Sequence, residues 1–308
     1  MGAFALAGCG PRALDFMAAP DGGVERDIVL LTNRAAVSDT GLSSGRTLTL
    51  SATTVTTALP PDRAPGSLPW NDPALGLRGQ SPAPDLAAAL AAQPPGPTTV
   101  WVHGFNNSPA EALYRHAQMA EDLALPGAQV SFVWPSIERY RGYLHDRDSV
   151  LHARRPFLDA IRAVRAARPD TETFVVAHSM GTFLVMEALR AAALEGRPLA
   201  QEMRVVLLQP DIDPGVLEAQ VADIGRLPER MAIFTAVDDP ALRLSARLAG
   251  QPARAGASAT ALKSLTARGV RVIDLGFLTD AADPHLAALT SPTALAAIRA
   301  VAAGSRGS

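Results

Sequence analysis

The sequence predicts an α/β fold, a mostly parallel central sheet with helices on both faces and no large cap domain. Two observations carry this. From residue 98 onward, short runs of apolar and β-branched residues alternate with longer helical periodicities, the pattern of a parallel sheet covered on both sides. One of those runs, Thr173-Phe174-Val175-Val176, leads straight into Ala177-His178-Ser179-Met180-Gly181 and then into a Leu, Met, Ala and Glu-rich stretch. That is a strand, a sharp turn and a helix with a serine at the bend.

In chain order, the strands Asp27 to Thr32 and Thr47 to Thr57 come first, both rich in β-branched and apolar residues. Residues 60–80 read as a Pro/Gly loop and 84–93 as a short helix that ends at Pro94-Pro95-Gly96-Pro97. Then follow strand Thr98 to Val102, helix Pro109 to Leu123, strand Gln129 to Trp134, helix Ser149 to Ala167, strand Thr173 to Val176 and helix Gly181 to Leu194. Strand Arg204 to Leu208, helix Pro214 to Ala222, strand Met231 to Val237, helix Ala241 to Leu248, strand Val270 to Leu275 and helix Ser291 to Ala302 complete it. No internal repeat is present. Residues 26–303 form one domain, preceded by a weakly patterned leader or linker (1–25) and followed by a short tail (304–308).

The chain has 308 residues, 48% of them hydrophobic and 19% charged, with a formal net charge of −2. This suffices for a large core and leaves no electrostatic bias. Lys263 is the only lysine and the arginines are dispersed, so nucleic acid is not an expected partner. Cys9 is the only cysteine, which leaves no intramolecular disulfide and no cysteine-rich metal site, and no close histidine pair of the H-E-x-x-H type occurs. No metal or cofactor is expected. No run is long and apolar enough for a transmembrane helix.

Ser179 is the candidate nucleophile. A sharp elbow strains its central residue and tolerates only small neighbours, and Ala177 and Gly181 are small in the required places. Where serine sits on such an elbow, its partners follow in the order Ser, Asp or Glu, His. Of His103, His116, His145, His152, His178 and His285, only His285 follows the serine, so it is the candidate base. The acid has contenders at two strand ends, Asp238 and Asp239 after one and Asp211 and Asp213 after the other. The later strand neighbours the histidine-bearing one in the usual order, which favours the 238–239 pair, with one of the two expected to cap the helix that begins at Pro240. Asp211 stands as the alternative acid. The turn His103-Gly104-Phe105 closes a buried strand, and its glycine permits a close backbone approach. The Phe105 and Met180 amides are the candidate oxyanion donors. His103, Gly104, Trp134, Tyr143 and His178 are candidate pocket residues, although His103 itself reads better as a structural histidine bonding loop carbonyls. The segment Trp134 to Asp148 either walls the pocket or covers the sheet edge, and 251–264 reads as a loop or flap. Asn106 and Asn107 read as turn and cap residues.

Four blocks in order, Val102-His103-Gly104-Phe105-Asn106-Asn107-Ser108, Phe132-Val133-Trp134-Pro135-Ser136, Tyr143-Leu144-His145-Asp146-Arg147-Asp148-Ser149 and Ala177-His178-Ser179-Met180-Gly181, resemble a bacterial family of alpha/beta hydrolases of unknown function. The similarity runs from about Asp27 to His285. The resemblance implies an α/β-hydrolase fold, and it implies Asp239 as the acid, because Asp239-Pro240-Ala241-Leu242 matches that family's acid segment. The last loop departs from the family pattern, with Leu286 after the histidine, so His285 rests on chain order. The expected activity is that of a serine hydrolase on small-molecule carboxylic esters, with amidase, thioesterase or acyltransferase chemistry open to the same parts. The rival is a catalytically idle, envelope-anchored binding protein.

At the N-terminus, Leu6-Ala7-Gly8-Cys9 resembles a lipoprotein lipobox. It predicts lipidation at Cys9 and a lipid-anchored or periplasmic place in the cell envelope, given an upstream start that supplies the basic, apolar leader missing from Met1 to Phe4.

Overall fold

The computed structural model describes residues 15–38, 41–199, 203–236, 238–250, 253–278, 280–281 and 284–302. Cys9 and its flanking residues lie outside them, as does Asp283. Within them the strands are β1 (Val24–Ser38), β2 (Gly41–Leu59), β3 (Gly76–Ala83), β4 (Thr98–Val102), β5 (Ala128–Val133), β6 (Thr173–His178), β7 (Met203–Leu208), β8 (Arg230–Thr235) and β9 (Arg271–Asp274). The helices are α1 (Leu86–Ala91), α2 (Pro109–Asp122), α3 (Tyr143–Ala167), α4 (Met180–Leu194), α5 (Pro214–Ile224), α6 (Pro240–Leu248), α7 (Ala259–Ala267), α8 (Ala287–Thr290) and α9 (Pro292–Ala302). Single 3-10 turns occupy Ala255–Ala257 and Pro284–Leu286.

The described strands form one nine-stranded sheet in the order β3-β2-β1-β5-β4-β6-β7-β8-β9. From β1 through β9 every pairing is parallel, while β1–β2 and β2–β3 are antiparallel. Strands β4, β5, β6 and β7 are buried along their whole length, which explains why they read as unbroken apolar runs. Alternate residues serve opposite faces. Val100, Val102, Val175, Ala177, Val205 and Leu207 pack toward α3, α4 and α5, whereas Trp101, Phe174, Val176, Val206 and Leu208 pack toward α8 and α9.

Chain direction across the sheet reverses at β4. The chain leaves β4 for β5 on one side and returns to β6 on the other. In an open parallel sheet this divergence opens a crevice beyond the C-terminal strand ends, the usual place for a ligand. The elbow after β6 and the His103-Gly104-Phe105 turn after β4 both lie there.

Four expectations need correction. Residues 60–80 are not all loop, since β3 begins at Gly76, and its polar residues pair with β2 at the sheet edge. The body begins before residue 26: Leu77 donates to the Met17 carbonyl at 2.7 Å, Ala19 donates to Leu77 at 2.9 Å, and β1 starts at Val24. Helix α3 starts at Tyr143 instead of Ser149. Its first two turns carry Asp146 and Ser149, both fully buried, and a periodicity argument assigns such residues to solvent. Finally, 251–264 contains the start of α7, capped by the Ser258 hydroxyl on the Ala261 N–H at 3.4 Å and anchored in the core through Leu262 and Leu265.

Candidate active site

Ser179 follows the last residue of β6 and adopts φ 51° and ψ −121°, a conformation that costs a non-glycine residue about 1–3 kcal/mol. Its surroundings enforce it. The Ser179 N–H donates to the Leu208 carbonyl at 2.9 Å, and the Ser179 carbonyl accepts from the Thr182 N–H at 3.0 Å, the Asp211 N–H at 3.3 Å and the Thr182 hydroxyl at 2.6 Å. A Cβ on Gly181 would come within 2.6 Å of the Val102 carbonyl oxygen, and closer still to that of His103. The small residue after the serine is therefore demanded by β4, not by the elbow alone. Met180, the first residue of α4, has a backbone N–H that its own helix cannot satisfy.

His285 lies in the turn Pro284–Leu286, beyond β9. Its Nδ1 is 2.7 Å from Oδ2 of Asp239. The other oxygen of Asp239 accepts from the Ala241 and Leu242 N–H groups at 2.8 and 3.2 Å, so one carboxylate both caps α6 and holds the histidine. Burial alone pushes the Asp239 carboxyl up. The His285 imidazole and the two backbone donors outweigh it and leave the group below the usual carboxylate range. The helix cap and the partner of His285 thus fall on one aspartate. Asp238 is 94% exposed and pairs with Arg243 at 3.3 Å.

The sequence blocks are tied together by buried charges. Asp146 accepts from the Asn106 N–H at 3.2 Å, the Ser136 hydroxyl at 2.6 Å and the Ile137 N–H at 2.7 Å. Three of the four sequence blocks are thereby joined on one carboxylate. Arg34 donates to the Trp134 and Ser136 carbonyls at 3.3 and 3.0 Å and to Glu138 at 2.7 Å. Ser108, not an asparagine, caps α2, accepting from Glu111 at 3.1 Å. Asn106 takes the left-handed bend at φ 58°, and the Asn107 side chain accepts the Gly104 N–H at 3.2 Å. With that amide engaged, Phe105 is the next donor along the turn.

A pocket open to solvent lies over this crevice, and Phe105, Tyr143, His178, Ser179, Asp211 and His285 are among the residues that line it. Leu242 and Leu244 of α6 and Leu286 and Leu289 beyond β9 supply an apolar wall. His103 and Trp134, expected in the pocket, lie behind its wall and are fully buried. Their rings stack at 4.7 Å, the Trp134 indole donates to the His103 carbonyl at 2.8 Å, and the His103 nitrogens face the Gly104 and Trp134 carbonyls at 2.9 and 3.2 Å. Burial, reinforced by nearby Arg34, pulls the His103 pKa down to about 3. Gly104 supports the elbow from below, where an added Cβ would stand 3.0 Å from the Ser179 Cβ.

Asp211 does not approach His285 through any hydrogen bond. It accepts from Arg254 at 2.7 Å, Tyr143 at 3.1 Å and Ser245 at 2.9 Å, and Arg254 also bonds the Tyr143 hydroxyl. Asp213 caps α5 through the Val216 N–H at 3.0 Å. The Arg254–Tyr143 contact joins residues 111 positions apart and is invisible in local sequence. So is the contact between His178 Nε2 and the His285 carbonyl at 3.0 Å. Among the described residues, no three His, Cys, Asp or Glu side chains gather as metal ligands.

A parallel sheet with its crevice at β4 and β6, a strained serine at the β6 elbow and an Asp–His pair beyond β8 and β9 define the α/β-hydrolase class. Residues 80–299 match the family described as alpha/beta hydrolase of unknown function (DUF900), and the chain belongs to that family. An uncharacterized protein of Nostoc sp. is 33% identical over 87 residues, which are 27% of this chain and 23% of the relative's length. Among solved structures, an esterase of the hyperthermophilic archaeon Pyrobaculum calidifontis superimposes with a TM-score of 0.42 at 14% identity, covering 91% of this chain and 83% of its own.

Proposed function

We propose that this α/β hydrolase is a serine hydrolase that cleaves carboxylic esters through a covalent acyl-enzyme. The observation that carries the reading is the 2.7 Å Asp239–His285 contact, whose histidine lines the same pocket as the strained Ser179. A carboxylate on Nδ1 keeps the proton there, so that Nε2 is the unprotonated nitrogen that accepts the serine hydroxyl proton. Ser179 Oγ then bonds to the ester carbonyl carbon, while the carbonyl electrons move to the oxygen, held by the Phe105 and Met180 amides. Collapse expels the alcohol, which takes its proton from His285. Water, deprotonated by the same imidazole, releases the acid and restores Ser179. The reaction consumes only ester and water, so no cofactor is needed, and the apolar wall of Leu242, Leu244, Leu286 and Leu289 suits an aliphatic acyl group.

Reaction of the purified protein with a fluorophosphonate probe, followed by a series of p-nitrophenyl esters of graded acyl length, tests this. Labelling abolished by Ser179→Ala is expected. Labelling that persists in Ser179→Ala, or its absence from the wild-type protein, would overturn the reading.

A further inference from the structure

Two buried side chains at the ends of neighbouring strands reach across the crevice to the segment that carries His285. His178, the last residue of β6, places its Nε2 3.0 Å from the His285 backbone oxygen. Gln209, just beyond β7, donates its side-chain amide to the Pro284 carbonyl. Gln209 is fully buried and sits at φ 47°, an unfavourable conformation for a residue with a side chain. Its own N–H is held by the Phe234 carbonyl at 2.7 Å.

A carbonyl oxygen accepts and never donates. His178 must therefore carry its hydrogen on Nε2. Its ring faces the His285 ring at 4.8 Å with a 57° tilt. Burial, then the neighbouring His285, pulls the His178 pKa down to about 3, with Asp239 opposing and Arg115 adding to the shift. His178 thus stays neutral and is no proton store for the imidazole beside it.

A hydrogen bond to Nδ1 fixes one atom of an imidazole, and where the rest of the ring stands also depends on how the backbone that carries it is held. We propose that His178 and Gln209 are positioning residues, a two-donor clamp on the His285 and Pro284 carbonyls that holds the His285 imidazole at the height of Ser179. The proposal rests on the serine-hydrolase reading above. His178 ends β6 and Gln209 follows β7, the strand that pairs with β6, so they reference the histidine to the sheet that also sets the elbow. Small displacements between reacting groups are costly, about a hundredfold for 1 Å.

The test uses His178→Gln, His178→Asn, His178→Phe and Gln209→Met in the full chain. A glutamine amide nitrogen falls where the imidazole Nε2 stood, whereas the asparagine amide reaches only the Nδ1 position. His178→Asn and His178→Phe should lower kcat by about 10–100-fold with KM moved by less than about threefold, and His178→Gln should recover most of that loss. Gln209→Met should lower kcat by about tenfold, and melting temperatures should not rank the variants in the order of kcat. Equal loss in His178→Gln and His178→Phe, full activity in His178→Phe, or kcat falling in step with stability would overturn the clamp. A second measurement needs neither a variant nor turnover. The imidazole nitrogen shifts of the wild-type protein should show His178 as the neutral Nε2–H tautomer from pH 8 to 5, and the Nδ1–H tautomer would overturn the proposal. Should the wild-type protein fail to label or turn over, the hydrolase reading fails alone, and the tautomer still decides whether His178 holds the His285 carbonyl.

Discussion

Asp239 and His285, 46 residues apart, meet at 2.7 Å, and the same carboxylate closes the first turn of α6 through two backbone N–H groups. The helix therefore aims the carboxylate at His285. Its N-cap geometry fixes Oδ1, and the plane of the carboxylate then presents Oδ2 to the imidazole, so the charge is oriented without a dedicated positioning residue.

This double role separates two substitutions. Asp239→Asn keeps a capping oxygen but loses the carboxylate, and should lower kcat by about 10²–10⁴ with little change in stability. Asp239→Ala should lower kcat comparably and also lose about 0.5–2 kcal/mol of stability. Asp211→Asn should behave the other way. It leaves the buried Arg254 guanidinium without its carboxylate, costing about 3–5 kcal/mol, while kcat of the folded protein falls less than about tenfold. Ester turnover and urea unfolding on the three variants check this, and the reverse ranking would move the acid to Asp211.

Ser179→Ala and His285→Ala should each lower kcat by about 10⁴–10⁶, and the double variant should be little worse than either, because the groups act as one unit. Single-turnover kinetics with an activated ester measure it. Near-normal turnover in His285→Ala would show that another group takes the serine proton.

Gly181→Ala should destabilise the fold or distort the elbow, since the new methyl would press on the backbone carbonyls of Val102 and His103, buried atoms at the end of β4 and in the turn that follows it. A loss of about 1–3 kcal/mol is expected, together with slower labelling of Ser179. An unchanged melting temperature and labelling rate would contradict the close packing of β4 against the elbow.

Acid stability follows from three buried histidines. Burial, the largest cause in each case, lowers the pKa of His103, His116 and His178 from 6.5 to about 3. The unfolded chain takes up these protons as pH falls through about 6.5 and the folded protein does not until about 3. Unfolded molecules thus bind more protons in that window, and stability falls with falling pH, by about 1.4 kcal/mol per pH unit for each histidine and about 4 for the three. Urea unfolding from pH 8 to 4.5 should show a plateau and then this descent. His116→Gln, remote from the serine and bonded in the wild type to Gln129 at 3.3 Å, should remove about a third of the slope. A flat profile between pH 6.5 and 4.5 would contradict burial of the neutral rings.

Much of this was legible in the sequence because it depends on local constraints. A serine elbow admits only small flanking residues, and Ala177 and Gly181 stand at those positions. Central parallel strands are apolar on both faces, so β4 to β7 appeared as runs. Chain order singled out His285, and the family-like segment after β8 pointed to Asp239. Tertiary structure decided what depends on partners distant along the chain. Residues 17–19 belong to the body because Leu77 offers them a backbone ladder. His103 and Trp134 stack behind the pocket instead of lining it. Arg34, Asp146 and Arg254 are buried charges that a periodicity reading assigns to water, since only the folded arrangement brings their carbonyls, carboxylates and amides together. A side chain's type is written in the sequence. Whether it is desolvated, and against which group, is set by packing across the sheet, and that packing made one of two adjacent aspartates both a helix cap and the partner of His285.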